Sequence, residues 1–498
     1  MQQRNVLEYL ESTVTRFPDK VAYEDEFGGL TFGQVYQSSR AIGSFIASSG
    51  IYGQPVVIFM RKSPEAVAAF FGTVYGGCYY VPIDEEMPRM RIELILKSLN
   101  SPLMIVDGET EEKAREFVFD GKIARYDEIS TGAIDEVLLS DIRRRQIDTD
   151  PIYIVFTSGS TGIPKGVVAC HRSVIDYIEN LSAVLKVDED TRFGNQSPFY
   201  FDACLKELYP TIKFGASTVI VPRQLFMFPI KLVEFLNEKK INTVCWVVSA
   251  LSMISAFGVL DKTVPEYLRT IAFGSEVFHI KQFNRWRAAL PGARFINLYG
   301  PTEATGMSCW YEVDRQFVEG DVIPIGRPFE NTEIILLDGD DKRADEGEIC
   351  IRGTCVTLGY YNDPDRTAEA FVQNPLNPYY PEFIYRTGDI GRLNERGELV
   401  FVSRKDYQIK HMGHRIELGE IEANVNSLDG IYSSCAVYDK EKDRIGLYYT
   451  GTIEEKALGA ILKEKIPRYM LPNKTVRLDS MPLTPNGKID RKLIGELK

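Results

Sequence analysis

Positive charge is in short supply in this chain: 58 lysines and arginines stand against 70 aspartates and glutamates, a net of −12 over 498 residues. An acidic body lacks the electrostatic footprint that binds nucleic acid or an anionic membrane, so neither is an expected partner. No two of the eight cysteines (Cys78, Cys170, Cys204, Cys245, Cys309, Cys350, Cys355, Cys435) have C-x-x-C spacing, which leaves them as reduced core residues. Only four histidines are present (His171, His279, His411, His414), none at metal-ligand spacing with a cysteine, so no zinc site is expected. His171 and His279 are read as structural. The N-terminal stretch has charges throughout and no apolar segment before a cleavage site, which predicts a cytoplasmic protein. Long uninterrupted apolar runs are also missing. Residues 66–83 are uncharged but broken by Gly72, Gly76, Gly77 and Pro82, which predicts a buried helix followed by a strand. Residues 241–260 contain Asn242, Thr243 and three serines, a poor fit to lipid. No internal repeat or low-complexity tract occurs.

What remains is ordinary globular material, 44% hydrophobic and 26% charged, long enough for at least two domains. Short apolar runs such as 55–59 and 216–221 alternate with helical patterns such as 232–239, which predicts α/β architecture with open sheets. From about residue 323 to 401, glycine-punctuated β-rich segments (333–337, 348–351, 398–402) predict a smaller, largely antiparallel layer. After Ser403-Arg404-Lys405-Asp406 a charged, mixed pattern begins, with helices expected at 417–426 and near 454–465, so a hinge is placed there. The expected division is 1–405 and 406–498.

The most informative segment runs from Ile152 to Val167. An apolar strand opens onto Thr157-Ser158-Gly159-Ser160-Thr161-Gly162-Ile163-Pro164-Lys165-Gly166. Glycines let backbone N–H groups turn inward, hydroxyls add donors, and Lys165 adds positive charge: a loop suited to phosphate. The order G-x-x-x-x-G-K-[ST] is absent, which excludes a Walker A reading. The competing reading is a Gly/Ser surface loop; the preceding strand and the closing Pro-Lys-Gly weigh against it. This segment resembles the signature T-S-G-S-T-G-x-P-K-G of the adenylate-forming superfamily of acyl- and aryl-CoA synthetases, luciferases and nonribosomal-peptide adenylation domains.

The resemblance recurs in order along the chain. Asn297-Leu298-Tyr299-Gly300-Pro301-Thr302-Glu303 is similar to N-x-Y-G-P-T-E, which implies Tyr299 on adenine, Thr302 at phosphate and Glu303 on Mg²⁺. A hard cation that prefers one carboxylate plus phosphate oxygens suits that role. Tyr385-Arg386-Thr387-Gly388-Asp389 resembles Y-R-T-G-D, which implies Asp389 accepting from the two ribose hydroxyls, as an acceptor-only carboxylate can. Arg404 then matches an arginine that also reaches the ribose, and Asp406 falls at the family hinge. Gly413 to Glu422 resembles the segment that swings in to form a thiolation channel; the competing reading is the start of an amphipathic helix. Pro482 to Asp490 resembles the loop bearing the adenylation lysine, here Lys488.

The resemblance implies a large N-terminal domain of two doubly wound α/β subdomains plus a small β-rich subdomain, then a small mobile α+β C-terminal domain. It also implies ATP and Mg²⁺ as cofactors. Amino-acid-activating members carry Phe-Asp after an aromatic-rich strand, matched by Phe201-Asp202-Ala203, with Asp202 pairing the substrate's α-ammonium. A fatty or aryl acid would leave Asp202 unpaired. The side-chain pocket is placed at Ala203, Lys206, Trp246 and Ile271, with Phe273, Leu298, Gly306 and Met307. Phe273 and Leu298 stand where many relatives have small residues, which predicts a shallow pocket for a small, alanine-like side chain. Lys206 is left open between pairing an acidic side chain and reaching solvent.

The implied activity is ATP-dependent formation of an aminoacyl-adenylate and its transfer to the phosphopantetheine thiol of a separate carrier protein, because no carrier domain is recognised in the chain. Freestanding adenylation domains and D-alanine:carrier-protein ligases are similar in size and motif set. The alternatives are a carboxylic acid:CoA ligase and a catalytically silent nucleotide-binding relative; intact Lys165, Glu303, Asp389 and Lys488 argue against the second of these.

Overall fold

The computed structural model describes residues 3–159, 162–405, 408–440, 442–483 and 489–497. The chain forms two compact units. One comprises 1–85, 99–155 and 166–405; the other joins 86–98 and 156–165 to 406–498. Two short segments assigned by sequence to the first domain therefore pack with the second unit.

The first unit is α/β. Its nine-stranded sheet runs Arg327–Pro328, Cys309–Glu312, Arg294–Tyr299, Thr270–Gly274, Thr243–Val247, Arg192–Asn195, Ser217–Ile220, Val21–Glu24 and Gly29–Thr31. The inner pairs are parallel and the edge pairs antiparallel. A six-stranded sheet runs Lys122–Arg125, Leu103–Val106, Pro55–Phe59, Tyr79–Pro82, Pro151–Thr157 and Lys165–Cys170. The near-continuous apolar strands, such as Pro55–Phe59 with every residue buried, are what two-sided burial of a parallel sheet demands. An antiparallel sheet of Thr332–Leu337, Glu346–Gly353, Phe383–Leu393, Phe371–Gln373 and Leu399–Arg404 forms the β-rich layer.

Two helices illustrate how local chemistry sets the elements. Phe32–Ser48 starts at Thr31, whose hydroxyl accepts from the Gln34 N–H at 3.2 Å while Gln34 Oε1 accepts from the Thr31 N–H at 2.8 Å, a capping box. Pro64–Tyr75 starts at Ser63, whose hydroxyl accepts from Ala66, with proline at its first position. The second helix is buried almost all round, and the strand Tyr79–Pro82 follows it. The two pack closely because Gly72 faces Ile42: a Cβ there would lie 2.6 Å from the Ile42 Cβ.

In the second unit, Gln408–His411 and His414–Glu417 form a two-residue hairpin. Met412 and Gly413 both have positive φ (51° and 78°), the signature of a primed turn. The expected helix starts after it, at Leu418–Asn426. A three-stranded sheet, Ile431–Asp439, Arg444–Gly451 and Lys474–Arg477, packs with the helices Leu418–Asn426 and Glu455–Lys465 around Ile421, Leu447, Tyr449 and Leu458. All eight cysteines are buried and none forms a disulfide. Among the described residues no helix is long and apolar enough to cross a membrane.

Candidate functional site

In the first unit, the strand Arg294–Tyr299 ends in a loop that folds back on itself. The Ser308 N–H donates to the Tyr299 carbonyl at 2.7 Å. A Cβ on Gly300 would lie 2.5 Å from the Met307 Cα and 2.6 Å from the Gly306 carbonyl, so only glycine fits. Thr302–Ala304 form a single 3₁₀ turn, and Thr305 beyond it is held at φ 55° by its hydroxyl, which donates to the Cys355 carbonyl at 2.7 Å. Glu303 is thereby fully buried, with Oε1 accepting from the Tyr360 hydroxyl at 2.7 Å. Among the described residues no cluster of three His, Cys, Asp or Glu could cage a metal. One oriented carboxylate nonetheless fits Mg²⁺, which is commonly held by one carboxylate together with phosphate oxygens.

Asp389 is buried and engaged on both oxygens. The Tyr299 hydroxyl donates to Oδ2 at 2.6 Å, and Arg404 Nη1 donates to Oδ1 from the neighbouring strand. Arg404 Nη2 also donates to the Thr387 carbonyl at 3.1 Å. Burial, then the Asp389 charge, pushes the Tyr299 phenol well above its usual range. Tyr299, Asp389 and Arg404, singled out separately in the sequence, thus form one connected group, suited to accept hydrogen bonds from a diol.

Asp202 opens the 3₁₀ turn Asp202–Cys204, which leads into the helix Leu205–Phe214. Burial, then its carboxylate, pushes the phenols of Tyr153 and Tyr177 far up, so both rings lie close to it. Neither phenolic oxygen has a hydrogen-bond partner among the described residues. Behind them lies a buried polar group. Asn195 Nδ2 donates to Glu207 Oε2 at 3.1 Å, and Lys62 Nζ donates to the Asn195 and Gln196 carbonyls at 3.4 and 3.2 Å. Burial raises the Glu207 carboxyl to about 8, opposed first by Lys206; burial likewise lowers Lys62 to about 8.

Lys206 is 2% exposed, which overturns the solvent-reaching alternative. Leu298 and Met307 pack in the same core cluster as Cys245 and Ala272, and Gly306 faces the Tyr177 ring, 3.5 Å from a Cβ it lacks. Ala203 is half-buried in the Asp202 turn. Trp246, Ile271 and Phe273 are not brought to this group. Side chains alternate across a strand, so Cys245 and Ala272 face the Lys206 side while Trp246, Ile271 and Phe273 join the cluster on the other face of the sheet. Trp246 Nε1 donates to the Gly194 carbonyl there, and Phe273 stacks edge-on with Phe278. Phe273 therefore does not make the pocket shallow. Tyr153, Tyr177, Glu207, Lys62, Cys245 and Ala272 were missed; strand alternation in 243–247 and 270–274 was the available signal for the last two.

The phosphate-type loop belongs to the second unit. The buried Thr157 hydroxyl has no partner among the described residues, while the Ser158 hydroxyl donates to the Arg415 carbonyl at 2.7 Å. The Gly159 N–H donates to Glu420 Oε2 at 3.1 Å, and Glu420 is paired in turn with the buried Arg91. Gly162, at φ 82°, closes a turn onto the Gly159 carbonyl at 2.9 Å, and Lys165 begins the strand that leaves the loop. A backbone N–H that donates to a carboxylate oxygen can donate equally well to the oxygen of a phosphate. Ser160, Thr161, Asp406 and Lys488 lie outside the described residues.

The AMP-binding enzyme family matches residues 10–361. The chain is 30% identical to tyrocidine synthase 1 of Brevibacillus parabrevis over 99% of its own length, and spans 45% of that protein. It is also 30% identical to zwittermicin A synthase ZmaJ of Bacillus cereus, covering 98% of this chain and 94% of that one. The fold superposes with TM-score 0.85 on an NRPS protein containing adenylation and PCP domains bound to a vinylsulfonamide inhibitor, at 24% identity over 98% of this chain and 84% of the other.

Proposed function

Because the chain belongs to the AMP-binding enzyme family, whose members are AMP-forming ligases that use ATP, we propose that it adenylates an amino acid and passes the aminoacyl group to a thiol. The observation that carries the amino-acid reading is Asp202, a carboxylate set beside two buried phenols that have no hydrogen-bond partner among the described residues. A carboxylate there answers an α-ammonium, and a fatty or aryl acid would bring it no cation. The size preference for alanine keeps only Leu298 in its favour.

In the first step a substrate carboxylate oxygen forms a bond to the α-phosphorus of ATP, and the bond from that phosphorus to pyrophosphate breaks. Two anions approach, so the site must neutralise charge and align attacking and leaving oxygens. The proposal gives Thr157 to Gly162 and Lys165 the phosphates, with Thr302 beside them. Asp389 and Arg404 receive the ribose, Tyr299 the adenine, and Lys488 bridges carboxylate and phosphate. Mg²⁺ held by Glu303 would supply positive charge to the phosphates. In the second step a thiol sulfur bonds to the acyl carbon and AMP departs with its electron pair. The second reactant is proposed to be the phosphopantetheine thiol of a separate carrier protein. The solved fold relative that contains adenylation and PCP domains supports this, as do the synthases among its relatives. Eight unbridged cysteines support a reducing cytoplasm as its place of action.

The test is amino-acid-dependent exchange of pyrophosphate into ATP across the common L-amino acids, D-alanine, and aryl and fatty acids. The reading requires exchange with an amino acid that is lost in Lys488→Ala and Asp202→Ala. Exchange with non-amino acids alone would replace it with a CoA ligase.

A further inference from the structure

We propose that Lys206 is the anion-binding group of the substrate pocket, and that the amino acid activated here carries a second carboxylate, or an equivalent anionic group, on its side chain. The inference rests on the amino-acid reading above and concerns the same pocket.

Lys206 lies on the first turn of the helix Leu205–Phe214, four residues beyond the start of the Asp202 turn, and is 2% exposed. It has no hydrogen-bond or ion-pair partner among the described residues. A buried ammonium in that state is costly unless something in the functioning complex answers it.

The groups around it do not supply that answer. Cys245 faces Lys206 from the strand Thr243–Val247, with its thiol held neutral by burial. Glu207, next to it in the chain, is the carboxylate beside it, but burial raises that carboxyl to about 8, so much of it is neutral near pH 7, and its Oε2 takes the Asn195 amide. Lys62 has Asp84 beside it as well as Glu207, so Glu207 is the carboxylate on which Lys206 must rely. Asp202 cannot restore the balance once it holds the substrate's α-ammonium. Lys206 is then left short of a full counter-charge, four residues along the chain from Asp202.

The walls leave room for such a group. Cys245 and Ala272, paired across adjacent strands, are small. Gly306 adds no side chain beside Tyr177. Leu298 and Met307 are apolar and offer a competing neutral side chain hydrophobic contact only. A site built to answer a charge discriminates more sharply than an apolar pocket, because the wrong substrate leaves the ammonium buried and unpaired.

The experiment measures pyrophosphate exchange by the whole chain with L- and D-aspartate and glutamate against their amide isosteres asparagine and glutamine, and against alanine. Lys206→Met, near in volume and without charge, is measured alongside, and Asp202→Asn is the control for the shared α-ammonium contact. The expected result is a wild-type kcat/KM at least about tenfold higher for one acidic amino acid than for its amide. Lys206→Met should lose roughly 30-fold or more on that acid while its amide or alanine rate holds or rises. Asp202→Asn should depress all of them together. Wild-type preference for a neutral amino acid, or an acid-to-amide ratio unmoved by Lys206→Met, overturns the inference and leaves amino-acid activation standing. Exchange with no amino acid at all overturns the amino-acid reading and this inference with it. Should Lys206→Met not fold, the wild-type acid-to-amide ratio decides alone.

Discussion

His171 is fully enclosed at the start of the helix His171–Leu185, with Nδ1 accepting from the Val6 N–H at 3.3 Å. Burial first, then Arg143, pushes the imidazole down to about 3. The folded pKa lies below the ordinary value of 6.5, so this neutral ring's contribution to stability is complete above 6.5 and is lost as pH falls towards 3. Between about pH 7 and about pH 5 the unfolded chain takes up a proton the folded one refuses, which costs about 2 kcal/mol. His171→Gln retains an acceptor for Val6 and does not titrate, so urea unfolding at the two pH values should show an acid loss smaller by that amount. Equal losses in both proteins would mean the ring is protonated in place. Gly300 is the other residue whose surroundings leave no choice. In Gly300→Ala the new carbon meets backbone at 2.5 and 2.6 Å, which displaces the loop bearing Thr302 and Glu303. Pyrophosphate exchange should fall by about 100-fold or more, since misplacement of positioned groups by about 1 Å has that scale. An active Gly300→Ala would show that the loop carries no reacting group.

At the scale of elements, the pairing of Arg91 with Glu420 ties the segment 86–98 to the helix Leu418–Asn426, and through the Gly159 N–H to the phosphate-type loop. The two side chains are 5% and 1% exposed, so removing one leaves the other charged and buried. Glu420→Ala or Arg91→Ala should destabilise by about 3–5 kcal/mol, whereas Arg91→Met combined with Glu420→Leu should recover most of it. Thermal or chemical unfolding of the three variants reads this directly; additive losses in the double variant would sink the pairing. Neither residue was visible as a partner of the other in the sequence, because their separation of more than three hundred positions leaves no local trace. Local signals did carry the elements themselves. The interruptions at Gly76 and Gly77 separated the helix Pro64–Tyr75 from the strand Tyr79–Pro82, while Gly72 lies within the helix, and the apolar runs marked the parallel strands. The site was legible where a motif is contiguous, as in 297–303 and 385–389. It failed where the outcome depended on which face of a strand a residue occupies: Trp246 and Phe273 are one position away from Cys245 and Ala272, and one position inverts the face.

At the scale of the whole molecule, the two proposed half-reactions make incompatible demands on one site. The first needs a lysine bridging carboxylate and phosphate; the second needs that place cleared for a thiol. The division of the chain after Lys405 lies beside Asp406, where the hinge is proposed. A rotation there would let 406–498 present Lys488 in one half-reaction and the segment Gly413 to Glu422 in the other. Proline at the hinge fixes φ near its usual value and restricts the preceding residue, so Asp406→Pro should penalise interconversion far more than either end state. Pyrophosphate exchange, which needs only the first arrangement, should then stay within about threefold of wild type, while aminoacyl loading of an added phosphopantetheinylated carrier protein should fall by about tenfold or more. Equal loss of both rates would mean the substitution damages the first arrangement itself. Full retention of both would place the pivot elsewhere or leave the second step needing no rotation.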